Sequence, residues 1–229
     1  MRNIALLALI SLPLVAGFFP STVHTSVSET YENGLKLGKP FPVTGMSGIV
    51  IHNYGNQLEA ITGYIAQVSE DGKAELIEKE IIHHEELPTI KTQIAKGDKV
   101  IGGYLYDTIL LLAPDADTYA KITKRNSRKK WIHPDLFATF LSKEGDGTPT
   151  LENLAKFAKE YQIGLIYIVQ HDHTVLLDPI SGKIVGKKTF KNAPAKAQFP
   201  FFMRFDKIKT GIFSDSGEGD YYQTMEQFK

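Results

Sequence analysis

Two histidines one residue apart form the most metal-like arrangement in this 229-residue chain. His171 and His173 flank Asp172, and on a β-strand both imidazoles would point to one face, which suits a pair of metal ligands. In a tight turn they would not converge, and no third or fourth ligand is evident in the sequence. We therefore expect a polar turn between two apolar strands and no metal, with a small metal-dependent enzyme using His171 and His173 as one alternative.

A second histidine cluster, at residues 83–86, reads His-His-Glu-Glu and is followed by Leu87-Pro88. Adjacent residues of a strand face opposite ways, so only one of these histidines could serve a given site. The sequence therefore predicts a solvated loop here.

The main basic stretch ends beside the single tryptophan, Trp131. Its members are Lys121, Lys124, Arg125, Arg128, Lys129 and Lys130. Basic residues beside an aromatic ring can hold a phosphate or a nucleic acid strand. However, the chain balances 26 basic against 26 acidic residues, so it has no global field to attract nucleic acid. We expect a solvated helix end and loop with no nucleic-acid partner, and docking to an acidic partner or to lipid headgroups as the alternative.

The motifs of common enzyme classes are missing from the sequence. There is no cysteine, no Gly-x-Ser-x-Gly nucleophile elbow, no phosphate-binding loop that ends in Lys-Ser or Lys-Thr, and no His-Glu-x-x-His zinc helix. Acidic residues are plentiful, but nothing in the sequence pairs them in space. We therefore expect a non-enzymatic protein that has no cofactor.

The first 17 residues have the order of a secretory signal peptide. A short basic start, Met1-Arg2-Asn3, precedes an apolar run over residues 4–14, and Val15-Ala16-Gly17 offers small residues for cleavage. The apolar run is shorter than the roughly 20 residues of a membrane span, and no later stretch is long and apolar enough. The sequence predicts export to the periplasm or the cell surface without a transmembrane span after cleavage, and an uncleaved anchor is the alternative.

Short apolar segments separated by turn residues dominate the first half of the mature chain. Residues 18–40 are polar with little periodicity, so we expect a flexible lead-in there. Residues 41–113 predict a β-rich subdomain, in which Asp71-Gly72 makes a hairpin turn. Five or six short strands without a helix favour a small, SH3-like barrel.

Helical periodicity takes over after Pro114. Asp115 can cap a first helix, Pro134 can begin a second, and Thr148-Pro149 opens a third that carries Leu154 and Phe157. Apolar strands follow, of which the first should turn Tyr167 and Val169 to one face and Ile166 and Ile168 to the other. Residues 114–213 thus predict an α/β subdomain with helices packed on a short mixed sheet, and residues 214–229 predict an extended, polar, accessible tail. The expected class is α+β.

Four sequence blocks in a fixed order resemble a known family. They lie at residues 94–100, 110–114, 163–169 and 200–204, and residues 135–141 fit the same pattern. Over roughly residues 45–214 the chain resembles the N-terminal domain of the epsilonproteobacterial plasminogen-binding proteins. The resemblance implies an exported, surface-exposed protein with a protein partner, plasminogen, that is bound through lysine-dependent contacts.

In this sequence Lys229 is the residue that could make these lysine-dependent contacts. A C-terminal lysine presents an ammonium and a free carboxylate together, and the kringle domains of plasminogen recognise this pair. The larger family members continue into a long, lysine-rich tail, whereas this sequence stops shortly after Phe213. The alternative is a periplasmic scaffold or accessory factor of an envelope or motility machine, with envelope proteins as partners and no role with plasminogen.

Overall fold

The first half of the chain closes into a six-stranded antiparallel barrel. The computed structural model describes residues 17–77, 92–210 and 218–229. The barrel strands are β1 (Val23–Tyr31), β2 (Gly34–Leu37), β3 (Ser47–Asn53), β4 (Glu59–Gln67), β5 (Lys73–Ile77) and β6 (Lys99–Gly102). Their order is β1-β2-β5-β4-β3-β6, and β1 pairs with β6 to close the circle. Closure leaves the barrel without a free strand edge.

The predicted flexible lead-in over residues 18–40 is wrong, because this segment supplies β1 and β2. Val27, Leu35 and Leu37 point into the barrel and are buried. The remaining positions are mostly polar and partly exposed, so the alternation of apolar and polar residues is too weak to predict a strand. The pairing of β1 with β6, some 75 residues away, holds the segment in the sheet, and local sequence does not reveal it.

The hairpin predicted at Asp71-Gly72 joins β4 to β5. Gly72 has a φ of +86°, which a glycine adopts without steric cost. The Lys73 carbonyl accepts a hydrogen bond of 2.8 Å from the Val68 N–H across the turn. The histidine cluster at residues 83–86 lies outside the described residues, as does the predicted signal peptide except for Gly17.

The second half is built on a five-stranded mixed sheet. Its strands are β7 (Thr108–Leu112), β8 (Lys130–Ile132), β9 (Leu165–Val169), β10 (His173–Asp178) and β11 (Lys183–Thr189). The order is β11-β10-β9-β7-β8, in which β7 runs parallel to β8 and β9 while β10 is antiparallel to both its neighbours. The expected α+β class with a small barrel is confirmed. The boundary at residue 113 is wrong, because β7 already belongs to this sheet.

Three helices cross between the parallel strands. They are α1 (Ala116–Arg125), α2 (Pro134–Glu144) and α3 (Leu151–Tyr161). The Asp115 carboxylate caps α1 by accepting from the Thr118 N–H at 2.7 Å, as predicted. Pro134 is the first residue of α2, also as predicted, and Thr150 forms a reciprocal capping box with Asn153 at the start of α3.

The two faces of the sheet carry two hydrophobic clusters. Ile166 and Ile168 pack with Leu154 and Phe157 under α2 and α3. Tyr167 and Val169 lie in the cluster that continues into the barrel interior and contains Ile122 of α1. The predicted alternation along β9 is therefore confirmed. The barrel and α1 pack on one side of the sheet, and α2 and α3 pack on the other.

The last described residues fold back onto the helical side of the sheet. A short helix, α4 (Tyr221–Met225), buries Tyr221 and Met225, and Phe228 is buried after it. The expectation of an extended tail over residues 214–229 is therefore wrong for this part. Residues 221, 225 and 228 have the i, i+4, i+7 spacing of a helix face, which is the signal that the polar composition obscured.

Candidate functional site

The carboxyl edge of the parallel strands is covered by the chain's own C-terminal segments. This edge is where open α/β sheets usually bind their ligands. Here the Tyr221 hydroxyl lies between two strand-end carbonyls, 2.9 Å from that of Leu112 and 2.7 Å from that of Val169. The Phe202 N–H donates to the Ala113 carbonyl at 2.7 Å. The usual crevice is thus filled with packed side chains.

Gln170 fixes the residues that precede the end of the sequence. Its side chain is 1% exposed, and its Nε2 donates to the carbonyls of Met225 at 2.7 Å and Phe228 at 2.9 Å. Gln227 Nε2 donates to the Pro149 carbonyl at 3.0 Å. The backbone is therefore held in place up to Phe228.

Lys229 follows this anchored segment and is exposed. Its side chain ends in an ammonium group. Because Phe228 is buried and Lys229 is not, the chain emerges from the core at one defined point. The arrangement can present the Lys229 ammonium group to a partner without ordering a long tail.

Some other lysines on the described surface are paired with acids. Lys129 Nζ lies 2.7 Å from the Asp107 carboxylate. Lys156 Nζ lies 3.0 Å from the Glu152 carboxylate and 3.7 Å from that of Glu144. Charges in direct contact neutralise one another, so these pairs do not offer the separated charges that a free lysine offers.

His171 lies in the turn between β9 and β10, and His173 is the first residue of β10. The Gln170 N–H closes this turn by donating to the His173 carbonyl at 2.8 Å. His173 Nδ1 contacts the Asp172 carboxylate, while the His171 ring packs edge-on against Tyr222 at 5.4 Å between centroids. The predicted polar turn is confirmed. Within the described ranges no group of three or more potential metal-ligating side chains comes together.

The basic stretch occupies the last turns of α1 and the loop to β8, as predicted. Trp131 is half-buried, and its Nε1 donates to the Asn126 carbonyl at 3.1 Å. The ring lies 6.2 Å from that of Tyr167. Trp131 therefore serves as part of the packing beneath the loop, and the cations around it are exposed except for Lys129, which is partly buried against Asp107.

Asp178 is a buried residue with a structural role that the sequence analysis did not predict. It is completely buried at the end of β10, where its Oδ2 accepts from the Ser47 N–H at 2.9 Å and the Tyr106 hydroxyl at 2.7 Å. Its Oδ1 accepts from the N–H groups of Ile180 at 2.9 Å and Ser181 at 3.1 Å. Burial raises the pKa of the Asp178 carboxyl against the opposing effect of these donors.

Asp135 and Arg204 form a second tie between distant segments. The Asp135 carboxylate, at the first turn of α2, accepts from the Arg204 N–H at 2.9 Å and from its Nε at 2.5 Å. Burial acts to raise the pKa of Asp135, but the hydrogen bonds and charge of Arg204 outweigh it, with help from His133, so the pKa is lowered. The pair holds residues 200–204 against the helix.

The sequence blocks that carry the family resemblance lie in the protein interior or pack against it. Residues 110–114 and 163–169 form the centre of the mixed sheet, and Phe201 packs under α2. A Cβ at Gly164 would lie 2.2 Å from the Leu105 carbonyl carbon, so this approach requires glycine. The blocks therefore specify the folded body.

This architecture, a closed barrel joined to a mixed sheet with helices on its far side, belongs to a family defined by sequence. Residues 23–228 match the family described as "Plasminogen-binding protein pgbA N-terminal". The chain is a member of this family. No solved structure gives a significant match.

Two curated relatives come from Helicobacter pylori, and each is named "Plasminogen-binding protein PgbA". The one from strain J99 is 29% identical over 194 residues, which is 82% of this chain and 41% of the relative. The one from strain 26695 is 31% identical over 141 residues, which is 59% of this chain and 30% of the relative. The chain therefore matches less than half the length of either relative.

Proposed function

We propose that this chain is an exported, non-enzymatic protein that binds plasminogen through Lys229. Export is supported by the order of charged, apolar and small residues over positions 1–17. No helix among the described residues has the length and apolar character needed to cross a membrane. A binding role is supported by the names of the two relatives and by the covered carboxyl edge of the sheet.

One observation carries the choice of residue. The backbone is anchored through Phe228 by Gln170, and Lys229 immediately beyond it is exposed. A kringle ligand needs a cation and an anion at a fixed separation, and a terminal lysine supplies both on one residue. Presentation from a fixed segment lowers the entropy lost on binding.

Binding to immobilised plasminogen by surface plasmon resonance tests the proposal. Intact-mass measurement of the protein from cells first establishes that Lys229 carries the free carboxylate. Replacing Lys229 by Ala, or deleting it, should weaken binding by about 2–5 kcal/mol, because the receptor's charges lose their partner. A free lysine analogue should compete with the unaltered chain.

The matched control is Lys159→Ala, which removes another exposed lysine at the end of α3. This variant should bind like the unaltered chain. Full binding by both Lys229 variants, or indifference to the lysine analogue, would place the contact on the folded body and overturn the role of Lys229.

The alternative function is a periplasmic scaffold or accessory factor. The observation that favours it is the location of the family blocks, which build the interior and leave Lys229 outside the matched range of residues 23–228. Protease accessibility on intact cells separates the two functions. A chain that is shielded on intact cells and does not bind plasminogen is the result expected of the scaffold.

A further inference from the structure

Residues 218–229, here called the docked segment, are held on the rest of the described chain by side-chain contacts alone. The segment shares no backbone–backbone hydrogen bond with any described residue outside it. It also stabilises its own helix, because the Asp220 carboxylate accepts from the Gln223 N–H at 2.8 Å. The docked segment is therefore attached as a bound peptide is attached, without the strand pairing that joins the other parts of the sheet.

The crevice at the carboxyl edge of the sheet recognises the backbone of the docked segment. Gln170 Nε2 donates to the carbonyls of Met225 and Phe228, which are groups that every peptide carries. The Oε1 atom of the same buried amide accepts from no described residue. Gln170 is thus turned toward the segment, and it keeps one acceptor that the segment does not use.

Apolar side chains of the docked segment fill the rest of the crevice. Tyr221, Met225 and Phe228 are at most 3% exposed and belong to the cluster under α2 and α3. At the rim, the Tyr222 hydroxyl donates to the Pro194 carbonyl at 2.9 Å. The crevice therefore fits a short helical peptide with Tyr, Met and Phe at positions i, i+4 and i+7.

A second copy of this chain carries the same peptide. Every contact that the docked segment makes within one copy can form between two copies, and exchange of an identical element is a low-cost route to a dimer. The two arrangements differ in concentration, because a tethered segment has an effective concentration in roughly the millimolar range. The closed monomer therefore prevails in dilute solution, and exchange is favoured where copies are crowded.

We propose that the crevice is a peptide-binding groove, that the docked segment is its intramolecular ligand, and that two crowded copies of this chain exchange the segment. The recognition consists of the two bonds from Gln170 and the burial of Tyr221, Met225 and Phe228. It does not depend on plasminogen or on Lys229.

Fluorescence anisotropy of a labelled peptide of residues 218–229 with the full chain tests the proposal. The unaltered chain should bind this peptide weakly, because its own segment occupies the groove. Tyr221→Phe in the full chain loosens that segment but leaves the groove intact, so this chain should bind the peptide about tenfold more tightly. The same substitution in the peptide should weaken its binding about tenfold.

Two further variants of the full chain make the comparison sharper. Tyr104→Phe removes an exposed hydroxyl just after β6 and should bind the peptide like the unaltered chain. Gln227→Ala removes only the bond to the Pro149 carbonyl, so it should bind the peptide about threefold more tightly. Circular dichroism should show all variants folded, and Gln227→Ala keeps the test valid if Tyr221→Phe does not fold.

Light scattering of the concentrated full chain tests the exchange itself. Dimers should form as the concentration rises, and an excess of the free peptide should return them to monomers. Equal peptide binding by all the full-chain variants, or none by any of them, would overturn the groove and make the segment a fixed part of the fold. A chain that binds the peptide but stays monomeric at every concentration would overturn the exchange.

Discussion

Two carboxylates tie distant segments of this molecule together in opposite ways. Asp178 is completely buried and accepts only from neutral donors, which reach it from the barrel, from the loop before β7 and from its own turn. Asp135 is also buried, with 7% of its surface exposed, but it accepts from Arg204, whose side chain is largely exposed. Burial raises the pKa of Asp178, whereas Arg204 and its hydrogen bonds lower that of Asp135 despite burial.

The difference shows that an aspartate side chain can connect distant segments of a fold in two ways. A buried carboxylate needs all its lone pairs occupied, because an unmet partner cannot be replaced by water. A carboxylate whose partner is a largely exposed arginine has a cation to offset its charge, and solvent around that cation moderates the loss of the pair. Asp178, the carboxylate that needs all of its hydrogen-bond partners, is therefore the one that joins the barrel to the sheet.

The largest effect is expected for Asp178→Asn. Asparagine keeps the shape, but its NH₂ group would face the donors on one of the two sides. Leaving a buried donor unmet should lower the free energy of unfolding by about 2–4 kcal/mol. Urea denaturation at neutral pH measures this, and an unchanged midpoint would show that the joint does not hold the barrel to the sheet.

A smaller effect is expected for Tyr106→Phe, which removes one of the four donors to Asp178. The Ser47 N–H stays on Oδ2, so the loss should be about 1–2 kcal/mol. With one donor fewer, the pKa of Asp178 should rise further. The variant should therefore lose more stability than the unaltered chain as the pH rises above about 4. Parallel pH profiles would contradict this coupling.

The smallest effect, about 1 kcal/mol, is expected for Asp135→Asn, because Arg204 is largely solvated. Its pH dependence should run the other way. A lowered pKa contributes stability above about pH 4, and that contribution is lost as the pH falls through the folded value. The difference in urea midpoint between this variant and the unaltered chain should therefore shrink in acid. A difference that grew in acid would show that Arg204 does not set the state of Asp135.

Local signals in the sequence were sufficient for most of the second half. The Asp115 cap, the Pro134 start and the apolar run of β9 each depend on neighbouring residues, and the structure contains all three. The first strand was missed because it is polar and depends on β6 for its pairing. The Asp178 joint was missed because its Ser47 partner is 131 residues away.

The candidate site was only partly visible from the sequence. The sequence singles out Lys229 by its position, but no residue near it predicts that Gln170 binds the Phe228 carbonyl. Tyr221, Met225 and Phe228 do have helical spacing, yet the polar residues between them conceal how deeply they are buried. Contacts across more than 50 residues decide this region, and one sequence does not display such contacts.

The two halves of the molecule differ in how their strand edges are closed. The six barrel strands lie within residues 23–102, and pairing of the first with the last closes them. The strands of the mixed sheet lie within residues 108–189, but Tyr221, whose hydroxyl caps Leu112 and Val169, lies beyond all of them. The barrel is thus closed by its own strands, whereas the carboxyl edge of the sheet depends on a segment that belongs to neither set of strands.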